Sequence, residues 1–254
     1  MALPLLDRDE TLSSLADSSR RWTDLIRSVR DPSATAIGFW SIRDVAVHTS
    51  HIFELFPRLI EGQPSPIKDH LRLGEEWDAK VKADPEQDLA TIADRIELAT
   101  KHFIDAATSD VWIEEVPWHG GLETPVYSLA GILINEAEVH GLDVASAEDR
   151  PWTVTREKAV KAIVALLPIL PYFAKAEQTK GMSAVYELRL RTGPRVYISI
   201  DNGLLSIDKG PLRADCHISA DPVEYLLIGY GRKSQWLPIA TGKVDVDARH
   251  FTAE

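Results

Sequence analysis

Two predicted helices carry polar residues where helical spacing places apolar ones. On the first, Val45, His48 and Ile52 fall on one face. On the second, Glu136 and His140 are four residues apart, so both side chains leave the same face of one turn. Buried imidazole and carboxylate groups cost free energy unless they pair or bind metal. Two histidines and one carboxylate are also a common ligand set for an open divalent-metal site.

Each of the three polar residues also has an ordinary structural interpretation. His48 alone is typical of a core histidine that hydrogen-bonds to the backbone. Glu136 and His140 are equally compatible with a simple intrahelical pair. Their occurrence together on two helices of one predicted bundle favours a shared site. Spacing alone leaves metal binding and structural pairing equally open.

Composition excludes several classes of partner. The chain has 28 basic and 39 acidic residues, a net charge of −11 and no basic cluster, which argues against binding to nucleic acid or anionic membranes. No run of eighteen apolar residues predicts a membrane span. The first ten residues turn acidic too early for a signal peptide, so a cytoplasmic protein is expected.

The single cysteine limits the thiol chemistry of the chain. Cys216 can form neither an intrachain disulfide nor a cysteine-based zinc cage. It lies in an alternating, strand-like segment, which favours a buried inert thiol over a nucleophile.

Hydrophobic periodicity predicts two domains. Residues 1–176 are predicted to be an all-α bundle, with long helices over about 12–29, 41–61, 85–103 and 125–147 and only short helical structure over 62–83. Ser41 and Asp44 have the spacing of a capping box. After Gly181 the period changes from about 3.6 to 2, which predicts antiparallel strands. Residues 177–254 are therefore predicted to form a small α+β domain with a few strands and a helix.

Several motifs resemble a known family. The segment WSIRDVAVH, which ends at His48, resembles the W-[ST]-x-x-D-x-x-x-H signature of DinB/YfiT-like four-helix bundles. LINEAEVHGLDVA resembles their fourth-helix E-x-x-x-H-x-x-D segment. The loop VPWHGG and the segment GYGRKSQWLPIATGKVDV resemble the mycothiol-dependent maleylpyruvate isomerase branch, whose small second domain is similar to the sterol-carrier fold. The resemblance covers nearly the whole chain.

The resemblance implies a fold, a metal and a thiol cofactor. The fold would be α + (α+β): a DinB-like four-helix bundle followed by a sterol-carrier-like domain. A divalent metal ion, usually zinc, would be held by His48, Glu136 and His140. The thiol would be mycothiol, the low-molecular-weight thiol of actinobacteria, activated as a metal-bound thiolate. It would add reversibly to a double bond in an isomerase, or displace a leaving group in an S-transferase.

The resemblance leaves two other functions open. A metal-dependent hydrolase would use the same ligands without a thiol. A non-catalytic protein would bind a small molecule in the second domain, with the metal structural or absent.

Further residues are candidates for the site. Arg232 follows a Gly-Tyr-Gly turn at a predicted helix end, a position equally compatible with neutralising the helix C-terminus. The family resemblance favours Arg232 as the contact for a small anionic substrate, on the opposite wall of a cleft between the two domains. His51 is a second catalytic candidate, although a solvated or capping role is also compatible with its position. Trp118 and His119 are candidate cofactor-binding residues on a Gly- and Pro-rich loop. Asp143 is expected to support the ligands or the helix packing rather than to bind metal.

Overall fold

The computed structural model describes residues 4–174, 176–208 and 210–248. Contacts divide the chain into two compact units, one of them Leu6–Val154 and the other running from Thr155 onward. The first unit is helical, and the second contains a five-stranded sheet with helices. The predicted fold class, a helical bundle followed by an α+β domain, is confirmed.

The helical unit contains a bundle of four long helices and one shorter helix. The helices are α1 (Arg8–Arg27), α2 (Ile42–Ile60), α3 (Leu73–Ala83), α4 (Leu89–Ala106) and α5 (Val126–Ala147). Among the long ones, α1 and α2 each pack against both α4 and α5. Short strand pairs precede α2 and α5. They are β1 (Thr35–Ile37) with β2 (Trp40–Ser41), and β3 (Glu115–Pro117) with β4 (Glu123–Pro125).

The start of α2 follows from its sequence. The Ser41 hydroxyl accepts a hydrogen bond from the Asp44 backbone N–H, and the Asp44 carboxylate accepts one from the Ser41 N–H, which completes the predicted capping box. By contrast, α5 is buried around most of its circumference, which is typical of a helix inside a core. Polar residues on α5 therefore need partners within the protein.

Two details of the helical prediction are wrong. The region 62–83 contains α3, an 11-residue helix that buries Trp77 and Val81 against the bundle. The next helix begins at Leu89 with Asp88 as its N-cap, and not at Asp84. The Asp84 carboxylate instead forms hydrogen bonds with other side chains. A Pro one residue later made Asp84 resemble a helix start.

The second unit is built on a mixed sheet. Its strands are β5 (Ala184–Leu190), β6 (Arg195–Asp201), β7 (Leu204–Asp208), β8 (Cys216–Ala220) and β9 (Val244–Ala248), in the order β7-β6-β5-β8-β9. All neighbours are antiparallel except β5 and β8, which are parallel. Its helices are α6 (Arg156–Leu166), α7 (Ala176–Thr179), α8 (Pro222–Gly229) and α9 (Trp236–Ala240).

The two units divide earlier in the chain than the predicted boundary after residue 176. Helix α6 packs against α8, so it groups with the sheet although its sequence is helical. The change of periodicity in the sequence marks where the strands begin. The boundary between the two compact units instead depends on which elements pack together. The predicted domain bounds, 1–176 and 177–254, stay a prediction. Within the described residues, no helix combines the length and apolar character that a bilayer crossing requires.

Candidate metal centre

The three predicted ligand residues lie together where α2 contacts α5. His48 is in the first half of α2, while Glu136 and His140 are one turn apart on α5. The Glu136 Oε2 atom is 3.5 Å from His48 Nε2 and 3.3 Å from His140 Nε2. One donor atom from each residue lies within 4.8 Å of the other two. None of the three faces bulk solvent, since their side chains are between 10% and 15% exposed.

The donor set fits a divalent ion. Two ligands bound at about 2.1 Å to a tetrahedral ion are about 3.4 Å apart, close to the observed separations. Within the described residues, neither Glu136 Oε2 nor His48 Nδ1 has a hydrogen-bond partner, although both atoms are buried. An unsatisfied buried carboxylate oxygen is costly unless a cation or proton donor approaches it.

Asp143 holds one of the two histidines. Its Oδ2 atom is 3.0 Å from His140 Nδ1, and its side chain is 6% exposed. A proton on Nδ1, shared with this carboxylate, leaves Nε2 directed at Glu136 as a potential ligand atom. This contact agrees with a supporting role for Asp143.

Burial and charge act differently on the two histidines. Desolvation lowers the pKa of His48, against the attraction of Glu136. Desolvation also opposes protonation of His140, but the carboxylates of Asp143 and Glu136 outweigh it and raise its pKa to about 9. The same histidines keep the pKa of Glu136 well below its usual value despite burial. Without a metal ion, the His48 imidazole is therefore neutral near pH 7, whereas His140 carries a second proton that metal binding must displace.

Aromatic rings enclose His48. The ring centroids of Trp40 and Trp77 lie 4.8 and 5.5 Å from the imidazole centroid, and that of His140 lies 5.4 Å away. Trp40 is itself fixed by a hydrogen bond from its indole N–H to Asp78, at 3.1 Å. These contacts restrict the orientation of the His48 ring and shield the cluster from water.

Trp118 and His119 are buried next to the same aromatic group. The His119 ring centroid is 4.5 Å from that of Trp118 and 5.8 Å from that of Trp77. The Ser65 hydroxyl lies 2.7 Å from His119 Nδ1. Burial lowers the pKa of His119 to about 4, so the imidazole is neutral near pH 7. Its predicted contact with a cofactor stays a prediction.

The turn after His119 requires glycine. Gly120 has φ of +68°, and a Cβ built on it would lie 2.9 Å from His70 Nδ1. Glycine permits both the positive φ and the close approach of His70. This turn leads the chain through β4 into α5, which carries two of the ligand residues.

His51 turns away from the three-residue cluster. Its Nε2 atom is 2.7 Å from Asp84 Oδ2, and its ring stacks at 6.5 Å on Trp77. Arg95 also donates to Asp84, at 3.0 Å. His51 therefore contacts Trp77 and Asp84, and its catalytic role stays a prediction.

Arg232 and Cys216 belong to the second unit. The Arg232 guanidinium donates to the Tyr230 carbonyl at 2.7 Å and lies 5.9 Å from the Tyr230 ring centroid. Its role toward a substrate, and the expected cleft between domains, stay predictions. Cys216 is buried on β8, where desolvation raises the pKa of its thiol.

Trp77 is the site residue that sequence reasoning missed. Its ring contacts His48, His51 and His119. The spacing of Leu73, Trp77 and Val81 by four residues would have indicated a helix with a buried face.

The helical unit matches a known family. The family model described as the mycothiol maleylpyruvate isomerase N-terminal domain matches residues 15–145, just over half of the chain. No curated protein matches the chain by sequence.

Solved structures resemble the chain over most of its length. A crystal structure of a histidine-to-alanine mutant of the mycothiol-dependent maleylpyruvate isomerase is 13% identical, covers 95% of this chain and 93% of that chain, and gives a TM-score of 0.55. Another structure of the mycothiol-dependent maleylpyruvate isomerase is 14% identical with the same coverage and a TM-score of 0.52. At such low identity these matches establish a shared fold.

A sterol carrier protein matches only weakly. Sterol carrier protein 2 from Yarrowia lipolytica, in its apo form, is 21% identical and covers 35% of this chain and 86% of that chain, with a TM-score of 0.27. The expected sterol-carrier likeness of the second unit therefore stays a prediction.

Proposed function

This chain belongs to the mycothiol maleylpyruvate isomerase N-terminal domain family, and from that premise we propose that it is an enzyme that uses an external thiol. The thiol is mycothiol, and the substrate is a small anionic molecule that the enzyme isomerises or joins to the thiol. The observation that carries the proposal is the convergence of His48, Glu136 and His140 on one buried point.

The same three residues would hold a divalent metal ion, with zinc as the first candidate. Two neutral imidazoles and one carboxylate leave such an ion with a net charge near +1. When bound, it lowers the pKa of a coordinated thiol enough to form a thiolate near neutral pH. The unsatisfied Glu136 Oε2 atom supports a cation at this point.

The chain's own residues prepare the centre for that chemistry. Asp143 holds the Nδ1 proton of His140, which keeps Nε2 free to face Glu136. Trp40 and Trp77 pack on the His48 ring and exclude water. Exclusion of water strengthens electrostatic interactions within the site.

The lack of a suitable internal thiol supports an external one. Cys216 is the only cysteine of the chain, it is buried, and its thiol pKa is raised. A protonated, buried thiol is a poor nucleophile. On the second unit, Arg232 would recognise a substrate carboxylate, since a guanidinium can bind one through two parallel hydrogen bonds.

Turnover of maleylpyruvate, with and without mycothiol, tests this proposal. We expect activity only with the thiol and the metal-loaded protein, and Cys216→Ser should retain activity within about threefold of wild type. Metal content is measured on the same samples by elemental analysis. Equal turnover in thiol-free buffer would instead favour a metal-dependent hydrolase. Absence of turnover of maleylpyruvate, together with no thiol adduct of electrophilic substrates, would favour a non-catalytic binding protein.

A further inference from the structure

A cleft of about 360 Å³ lies on the helical unit beside Trp77, whose ring also contacts His48. It is lined by α2, α3 and the segment that follows α3. Its volume is within the range of small-molecule sites, near the lower end. The cleft does not include the three residues of the candidate metal centre.

Both acidic residues of the cleft already have hydrogen-bond partners within the protein. Arg95 donates to both oxygens of Glu54, at 2.9 and 3.0 Å, and to Asp84 at 3.0 Å. His51 also contacts Asp84. Neither carboxylate is therefore available to attract a cation into the cleft.

Two basic side chains that line the cleft have no acidic partner among the described residues. Within the described residues, Arg58 and Lys80 form no ion pair, whereas Arg95 beside them holds two carboxylates. The protein as a whole has a net charge of −11, so two unpaired basic side chains on one small cleft differ from its overall acidic character. They favour a ligand with negative charge.

The rest of the lining is apolar. The indole of Trp77 and the side chains of Leu55 and Pro66 line the same space. The Trp77 ring contacts the rings of both His48 and His51. A fixed aromatic surface beside two cations suits a ligand with an apolar body and a charged end.

We propose that this cleft binds a small organic dianion, such as a dicarboxylate with an apolar substituent. Arg58 and Lys80 bind its carboxylates, and Trp77 with Leu55 covers its apolar part. The site is separate from the metal centre and goes beyond the proposed function. It shares with that centre only the wall formed by Trp77.

Titration calorimetry with butylmalonate and malonate tests the proposal. Wild type should bind butylmalonate more tightly than malonate, because the butyl group contacts the apolar wall. The double variant Arg58→Gln/Lys80→Gln should weaken binding of butylmalonate at least tenfold. A matched loss of two exposed charges, Lys101→Gln/Lys180→Gln, should change it less than twofold.

The variant Glu136→Gln separates this cleft from the metal centre, because Glu136 does not line the cleft. It should bind butylmalonate as wild type does, although its metal content falls. Loss of binding in Glu136→Gln would show that the probe occupies the metal centre and would overturn the proposal. Equal weakening in the control double variant, or no binding to wild type at millimolar concentration, would overturn it as well.

Discussion

Two buried carboxylates on α5, two residues apart, have opposite surroundings. Glu138 faces α1, where its carboxylate accepts hydrogen bonds from Ser18 at 2.8 Å and from Arg21 at 3.0 and 3.2 Å. Glu136 faces α2, where its Oε2 atom lies between His48 and His140 but has no hydrogen-bond partner among the described residues. Both belong to one segment, and both are shielded from solvent.

The difference shows that burial of a carboxylate does not by itself indicate function. Glu138 is satisfied by the fold, so removing it should cost stability. Glu136 retains an unsatisfied oxygen, a feature that proteins maintain where a ligand or reaction needs it. The four predictions that follow test this distinction on three carboxylates of α5 and on Asp84.

The largest effect should come from Glu138→Gln. It leaves Arg21 without its anionic partner, and we expect a loss of about 3 kcal/mol in the free energy of unfolding. Urea unfolding followed by circular dichroism measures the change. Metal stoichiometry of the folded variant should match wild type. A loss of metal with little loss of stability would reverse the roles assigned to the two carboxylates.

Glu136→Gln should have the opposite profile. Metal affinity should fall by more than about 100-fold, since an anionic ligand is replaced by a neutral amide. In metal-free protein, the free energy of unfolding should fall less than in Glu138→Gln, because Glu136 Oε2 contacts only the two histidines, whereas Glu138 is bound by an arginine and a serine. Competition with a chromogenic chelator measures the affinity. Unchanged affinity would remove Glu136 from the ligand set.

Asp84 offers a second satisfied carboxylate for comparison. Although burial opposes ionisation, hydrogen bonds from the Glu86 backbone N–H, His51 and Arg95 lower its pKa from 3.8 to about 2. Its contribution to stability is complete above about pH 4 and is lost as the pH falls through about 2, a total of about 2 kcal/mol.

Removing this carboxylate should therefore flatten the acid dependence of stability. Asp84→Asn should be less stable than wild type at pH 6, and should lose less further stability between pH 5 and pH 3. Urea unfolding at each pH measures both values. A variant as acid-sensitive as wild type would assign the acid dependence to other carboxylates.

Asp143→Asn should have the smallest effect. The amide oxygen of the variant would still accept a hydrogen bond from His140, but without the negative charge that strengthens it. Metal affinity should fall about tenfold, within the range seen for residues that orient metal ligands. The same chelator competition measures it, with Asp94→Asn as a control on an exposed carboxylate that pairs with Arg27 instead. A fall as large as that of Glu136→Gln would make Asp143 a ligand.

Local sequence rules predicted most of the helical unit. The capping box at Ser41 fixed the start of α2, and the predicted end near Glu61 matches its C-cap. Helix α5 has Pro125 as its N-cap and ends at Ala147, as predicted. Such signals involve residues within one or two turns of each other, so they can be recognised without knowledge of the fold.

Contacts distant in sequence could not be predicted in the same way. Glu138 depends on Arg21, which lies 117 residues earlier, and no local pattern links the two. The cleft beside Trp77 likewise depends on how α3 packs against α2. The placement of α6 with the sheet follows from its contact with α8, although its own periodicity is that of the helical region.

The sequence by itself determined where α2 and α5 begin and end, and which three polar residues interrupt apolar faces. Helical spacing places Glu136 and His140 on one face of α5 whatever surrounds them. Only the tertiary structure decided that His48 faces them from α2, that Asp143 holds His140, and that Glu138 belongs to the fold and not to the site. The physical reason is that spacing sets the direction of a side chain, whereas its partners are set by the packing of distant helices.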